Sequence, residues 1–267
     1  MSSVISQEYV ECVSHFVQLI HSKKTDAEKR GNHVDFLFRG QGNLDWKLEP
    51  GLARCEPRTE SIKPERRLKH FERLVVEEFI RTYPQYSNQL LNDDWEVLSF
   101  AQQHGLPTRL LDWTYNALAA LWFAIESTQE YASKCIKEPK GKKDAAVWIF
   151  EPKLQDYLRI KRYSTPSEID DILILRPRFN DPRIVAQSSC YSVHPFNKSG
   201  CLISLDDHPI HRKKLTKLII PVAIHYEIRQ DLKMLGIHQA TLFPDTDNLC
   251  QHLKWRYFKR LSPSLSS

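Results

Sequence analysis

Glycine is scarce in this chain, at 8 of 267 residues, and none falls in a phosphate-cradling pattern. There is no G-x-x-x-x-G-K-[S/T] loop and no G-x-G-x-x-G turn, which excludes the common nucleotide-hydrolase and dinucleotide-binding machinery. H-E-x-x-H and G-x-S-x-G are missing too, and with them the usual zinc-peptidase helix and nucleophile elbow. No apolar run approaches the roughly 18 residues that span a bilayer. The first residues lack the basic-then-apolar pattern of a signal peptide. Six cysteines, Cys12, Cys55, Cys135, Cys190, Cys201 and Cys250, stand apart without a C-x-x-C pair. They read as reduced thiols, so the expectation is a soluble cytoplasmic protein without membrane partners. Neither sign of charge dominates, the net being +5. Basic residues gather at Arg66-Arg67-Leu68-Lys69, across 137–143 and at Arg212-Lys213-Lys214. Such clusters suit phosphate contacts or plain solvated surface, and no aromatics interleave with them to stack bases.

What is present is periodic and mixed. Residues 6–22 have a helical apolar spacing, with a polar loop expected over 23–32. Residues 34–38 read as a strand stopped by Gly40 and Gly42. Helices are expected over 64–82, opened by Pro64; over 94–104, capped by Asp93 or Asp94 and ended by Gly105; and from Asn116 through 125. The last of these is apolar nearly all round and therefore buried. Residues 133–144 read as a basic loop. Strands are expected at 145–150, 172–175, 190–194 and 218–225, then a helix over 247–259 and a frayed tail. Helices early and strands late indicate one α+β domain, its core at about 6–260, with a mixed or antiparallel sheet.

Three groups of residues could carry chemistry. In Phe38-Arg39-Gly40-Gln41 an arginine stands where an apolar strand meets a glycine. Its fork can grip a phosphate or carboxylate beyond the strand, or pair with a structural acid. In Leu106-Pro107-Thr108-Arg109-Leu110-Leu111-Asp112-Trp113-Thr114, charges sit in an apolar setting and must be paired or face a cavity. Arg109 with Asp112 is a candidate buried pair; alternatively Asp112 orients a ligand-binding arginine and Thr114 offers a hydroxyl. Cys190, His194, Cys201, His208 and His211 are the residue types of a zinc site, but their spacing is irregular, and no metal is expected.

At these residues the chain resembles the FRG domain family, named for its Phe/Tyr-Arg-Gly motif. The resemblance rests on Phe38-Arg39-Gly40-Gln41 followed by Trp46, Leu48 and Pro50; on Ala101-Gln102-Gln103-His104-Gly105 running into Leu106 to Thr114; on Asn116 with Ala120-Leu121-Trp122-Phe123-Ala124; on Arg183-Ile184-Val185-Ala186-Gln187; and on Gly236-Ile237 with Thr241-Leu242-Phe243-Pro244-Asp245. Departures from the family pattern are Ala117 in place of proline, and Ser189 and Tyr191 in place of glycine and phenylalanine. The family occurs in bacteria and their mobile elements, often in phage-defence settings. Its motif order also resembles that of ADP-ribosyltransferases. That likeness implies an NAD substrate whose pyrophosphate is held by Arg39, with Thr114 and Gln187 as the further catalytic positions. Phe38, Gly40, Gln41, Arg109, Asp112, Trp113 and Tyr191 would complete the binding site. A glutamate expected late in that pattern is here Gln187, which can hydrogen-bond a ribose but cannot act as a base. The resemblance therefore implies an NAD-using defence effector acting on a protein or nucleic-acid acceptor, alone or with a partner protein. The alternatives are a non-catalytic module for a nucleotide or phage component, and a nuclease-type effector.

Overall fold

The computed structural model describes residues 5–57, 64–126, 143–160, 162–178 and 181–258. Most of the basic stretch expected at 133–144 and the expected tail lie outside the described residues, as does the side chain of Arg66.

Seven strands form one mixed sheet: β1 (Ser6–Tyr9), β2 (Leu37–Gln41), β3 (Leu110–Thr114), β4 (Ala145–Phe150), β5 (Leu173–Leu175), β6 (Ser189–Val193) and β7 (Leu215–Ile220). Their spatial order is β1-β7-β4-β2-β3-β6-β5. Only the β1–β7 pair is parallel. Among the described residues there are eight α-helices: α1 (Val13–Lys29), α2 (Pro64–Thr82), α3 (Asp94–Gln103), α4 (Ala117–Glu126), α5 (Pro182–Gln187), α6 (His225–Met234), α7 (Gln239–Leu242) and α8 (Thr246–Tyr257). The α+β class holds, but helices and strands interleave along the chain instead of separating into an early and a late half.

Two other expectations are corrected. Residues 6–9 are strand, because an open edge of β7 takes them up in parallel from Ser6–Thr216 to Tyr9–Ile219. The helix starts only at Val13, where the Cys12 Sγ accepts the His15 amide, and continues through the segment read as a loop. At the other end of the sheet sequence, β7 stops at Ile220 before Pro221, and His225 opens α6 where a strand was expected. Proline lacks the N–H that would continue the ladder.

The two faces of the sheet are covered differently. On one face Phe38, Val147, Ile149 and Leu218 pack with α1, α4 and α6 through Phe16, Leu121, Ile125 and Ile228. Further along that face, Leu110, Tyr191 and Val193 meet Trp95 and Leu98 of α3. The opposite face carries Leu37, Leu111, Trp113, Trp148 and Phe150. It is covered by irregular chain that contributes Leu48, Ile172 and Leu205. The helix-covered and loop-covered faces alternate residue by residue along each strand.

Candidate functional site

Gly40 lies on the helix-covered face, and α4 rests on it directly. A Cβ at this position would stand 2.0 Å from the Ala120 carbonyl oxygen and 2.5 Å from the Ala124 amide nitrogen. The glycine is thus required for backbone-to-backbone packing of helix on strand, which the run of small residues Ala119, Ala120 and Ala124 permits from the other side.

Arg39, one residue earlier, stands opposite Trp148 and so leaves from the loop-covered face. Strands β2 and β3 share only one partnered position, Phe38 with Thr114. Beyond it they diverge. The guanidinium of Arg39 lies in that split, donating from Nη1 to the Asp112 carbonyl at 2.8 Å. The Asp112 carboxylate is 3.6 Å away and more than half exposed. Meanwhile Nε of Arg39 is buried with no hydrogen-bond partner. Burial lowers the affinity of this group for its proton; Asp112 opposes that effect, and the neighbouring Arg54 adds to it. The site thus holds a guanidinium in a split between strands, loosely paired with an exposed carboxylate and with one nitrogen, Nε, unpartnered.

The rim comes from α3 and β3. Gln102 donates to both oxygens of Asp112, at 3.1 and 3.3 Å, and accepts from the Thr108 hydroxyl at 2.8 Å. Gln103 donates to the Tyr191 hydroxyl at 3.1 Å. Burial, with Asp112 nearby, pushes the Tyr191 phenol upward, so it stays neutral. Gln41 accepts from the Trp148 indole at 2.8 Å and donates to the Lys47 carbonyl, closing the end of β2.

Arg109 and Asp112 are not a pair. Arg109 is enclosed with Glu72 of α2 in a bidentate ion pair, each side chain 5% exposed. It also donates to the Pro166 carbonyl at 2.7 Å and lies over the Phe196 ring. Its fork is fully used inside the fold, and Asp112 serves Gln102 and Arg39 instead.

Thr114 and Gln187 do meet, through backbone. The Thr114 hydroxyl donates to the Gln187 carbonyl and accepts from the Asn116 amide, so it fixes the start of α4. The Gln187 side chain donates to the Leu242 carbonyl at 3.0 Å, and Leu242 belongs to the helix-covered core. Arg39 departs from the other face. Arg39 is one residue from the strand partner of Thr114, but among the described residues no hydrogen bond joins it to Thr114 or Gln187. Trp113 is buried on the loop-covered face and donates to Ser192, which bonds His194 Nε2 at 2.8 Å. His194 Nδ1 in turn donates to the Ile203 carbonyl. Burial holds this imidazole neutral, its pKa down at about 4. Although Ser192 and His194 resemble a nucleophile and its base, both are fully enclosed and bonded, and they brace the core.

Reasoning from sequence missed Glu72, Arg54 and the roles of Gln102 and Gln103. The two glutamines stand in the block that carried the resemblance, so their signal was present without a role attached. Glu72 and Arg54 lie in stretches with no motif.

No curated protein and no solved structure matches the chain significantly. The FRG domain family matches over residues 34–133. That stretch spans β2 through α4 and contains Arg39, Gly40, Gln102, Asp112 and Thr114; Gln187 and Tyr191 fall beyond it. Residues 34–133 therefore match the FRG domain family, with the Phe-Arg-Gly motif at Phe38, Arg39 and Gly40.

Proposed function

We propose that this FRG-domain chain binds the phosphate groups of a nucleotide at Arg39, NAD being the first candidate, as a recognition module in defence against phage. One observation carries the reading: a largely buried guanidinium whose Nε lacks a partner, whose carboxylate partner is loosely placed at 3.6 Å and more than half exposed, and which feels the charge of a second arginine, Arg54. A buried charge calls for a counter-charge, and a phosphate supplies two negative oxygens in the geometry an arginine fork accepts.

The test is calorimetric titration of the full chain with NAD, ADP-ribose and inorganic phosphate. Charge-assisted hydrogen bonds contribute about 1.5–3 kcal/mol each. Arg39→Ala should therefore weaken binding by about tenfold or more. Arg39→Lys, which keeps the charge and loses the fork, should fall between the two. Equal affinity in wild type and Arg39→Ala, or no binding of any phosphate compound, would sink the reading.

A second reading, ADP-ribosyl transfer from NAD to a protein or nucleic-acid acceptor, draws support from the direct contact of Thr114 with Gln187. Its weakness is that no hydrogen bond joins Arg39 to either residue. Release of free nicotinamide on incubation with NAD, abolished by Gln187→Ala, would favour it over recognition alone.

A further inference from the structure

Beside Phe150 on the loop-covered face, three metal-ligating side chains come together from two segments. Asp171 precedes β5, and His208 and His211 lie in the turn leading into β7. The Asp171 Oδ1 is 3.1 Å from His208 Nε2 and 3.4 Å from His211 Nε2. One donor atom from each residue lies within 4.8 Å of the others. Around a tetrahedral ion with bonds of about 2.0–2.1 Å, two donors stand about 3.3–3.4 Å apart. The spacing around Oδ1 is therefore close to what an ion would impose.

His211 is the telling member. It is buried against the edge of Phe150 and beside the His208 ring, at 5.8 and 4.6 Å between ring centres. Neither of its ring nitrogens has a hydrogen-bond partner. A neutral imidazole has one donor and one lone pair to satisfy. Here its Nε2 faces a carboxylate oxygen without making a hydrogen bond to it. A cation between them would engage the His211 lone pair and the Asp171 charge together. The adjacent Lys214 is neutralised by Asp156, which it contacts at 2.7 and 2.8 Å, so its charge is already balanced. His208 Nδ1 accepts only two long bonds, 3.4 and 3.3 Å, from the amides of Ile210 and His211. These are the contacts that would give way as its proton moves to Nδ1.

We propose that Asp171, His208 and His211 bind one divalent transition-metal ion, and that zinc suits their donor set. Imidazole nitrogens select against magnesium and calcium, which take oxygen ligands. Three protein donors leave a coordination position beside the half-exposed Asp171, as in zinc sites that engage a further ligand. The site shares no residue with the surroundings of Arg39, and the proposal does not rest on the nucleotide reading.

The experiment is a titration of the chelator-stripped full chain with zinc chloride against a competing chelator. The variants are Asp171→Asn and His208→Gln, each checked for folding by its melting curve. One equivalent of zinc in the wild type, weakened at least about tenfold in each folded variant, is the expected result. Magnesium at large excess should not compete. The proposal is overturned if the wild type shows no saturable zinc binding, or if His208→Gln binds zinc as the wild type does. His208→Gln decides the matter should Asp171→Asn fail to fold.

Discussion

At the scale of single residues, the Phe-Arg-Gly motif divides its labour between the two faces of the sheet. Phe38 fills the helix-covered core, Gly40 lets α4 touch the strand, and Arg39 turns to the opposite side. Gly40→Ala should destabilise the protein by at least about 3 kcal/mol, because the new methyl group meets main chain on α4, which cannot rotate away. Thermal melting checks this, and a variant melting within a degree or two of the wild type would contradict it. Arg39→Ala should be far milder, about 1 kcal/mol, since it forfeits one bond to the Asp112 carbonyl and relieves a buried charge. The motif's glycine thus belongs to the architecture, and its arginine keeps one nitrogen, Nε, without a partner.

At the scale of elements, the pair Glu72–Arg109 fastens α2 to the start of β3. Glu72 accepts from the Arg109 backbone amide as well as from the guanidinium. Glu72→Gln or Arg109→Met alone should cost on the order of 3–5 kcal/mol by stranding the partner's charge. The double variant Glu72→Leu with Arg109→Met should recover much of that loss. A denaturant-unfolding cycle measures the difference; additive single effects would mean the two residues act independently. Sequence patterns revealed α2, α3, α4 and β4 well, because proline, aspartate and asparagine caps or unbroken apolar runs mark them locally. They misplaced α1, since Tyr9 and Val10 continue a helical spacing into a strand, and Cys12 is not a cap that sequence rules recognise. The second half of α1 is polar apart from the fully buried Ala27, too little apolar signal to register. Partnership was hardest of all to foresee. Arg109 and Asp112 are three residues apart and of opposite charge, but alternation along β3 and the approach of α2 give Arg109 to Glu72. His208, His211 and Asp171 meet only because the turn before β7 folds over the segment before β5, which no spacing rule encodes.

At the scale of the whole molecule, one face of the sheet is sealed by helices and the other by loops, and the buried His194 lies under the loops. Acid should act there first. His194 is held neutral, its pKa about 4 against an ordinary 6.5, because burial disfavours its charged form. A base whose folded pKa lies below its unfolded one stabilises the fold fully above the unfolded value, and that contribution drains away as pH falls from about 6.5 towards 4. A shift of this size is worth on the order of 3 kcal/mol. His208 and His211 are lowered in the same direction, mainly by burial. The melting temperature should therefore be flat above neutrality and fall steeply between pH 6.5 and 4.5, and a level profile through that range would refute the assignment. The parallel pairing of β1 with β7 has a consequence of another kind. The first of the described strands waits for the last. During synthesis, residues 6–9 emerge long before their ladder partner β7 exists, and contacts between such distant parts of a chain form slowly. Until they form, the outer edge of β7 presents unpaired backbone to any neighbouring strand. A chain shortened by its first dozen residues would keep that edge open for its whole life, and would be expected to pair with copies of itself at concentrations where the intact chain stays apart.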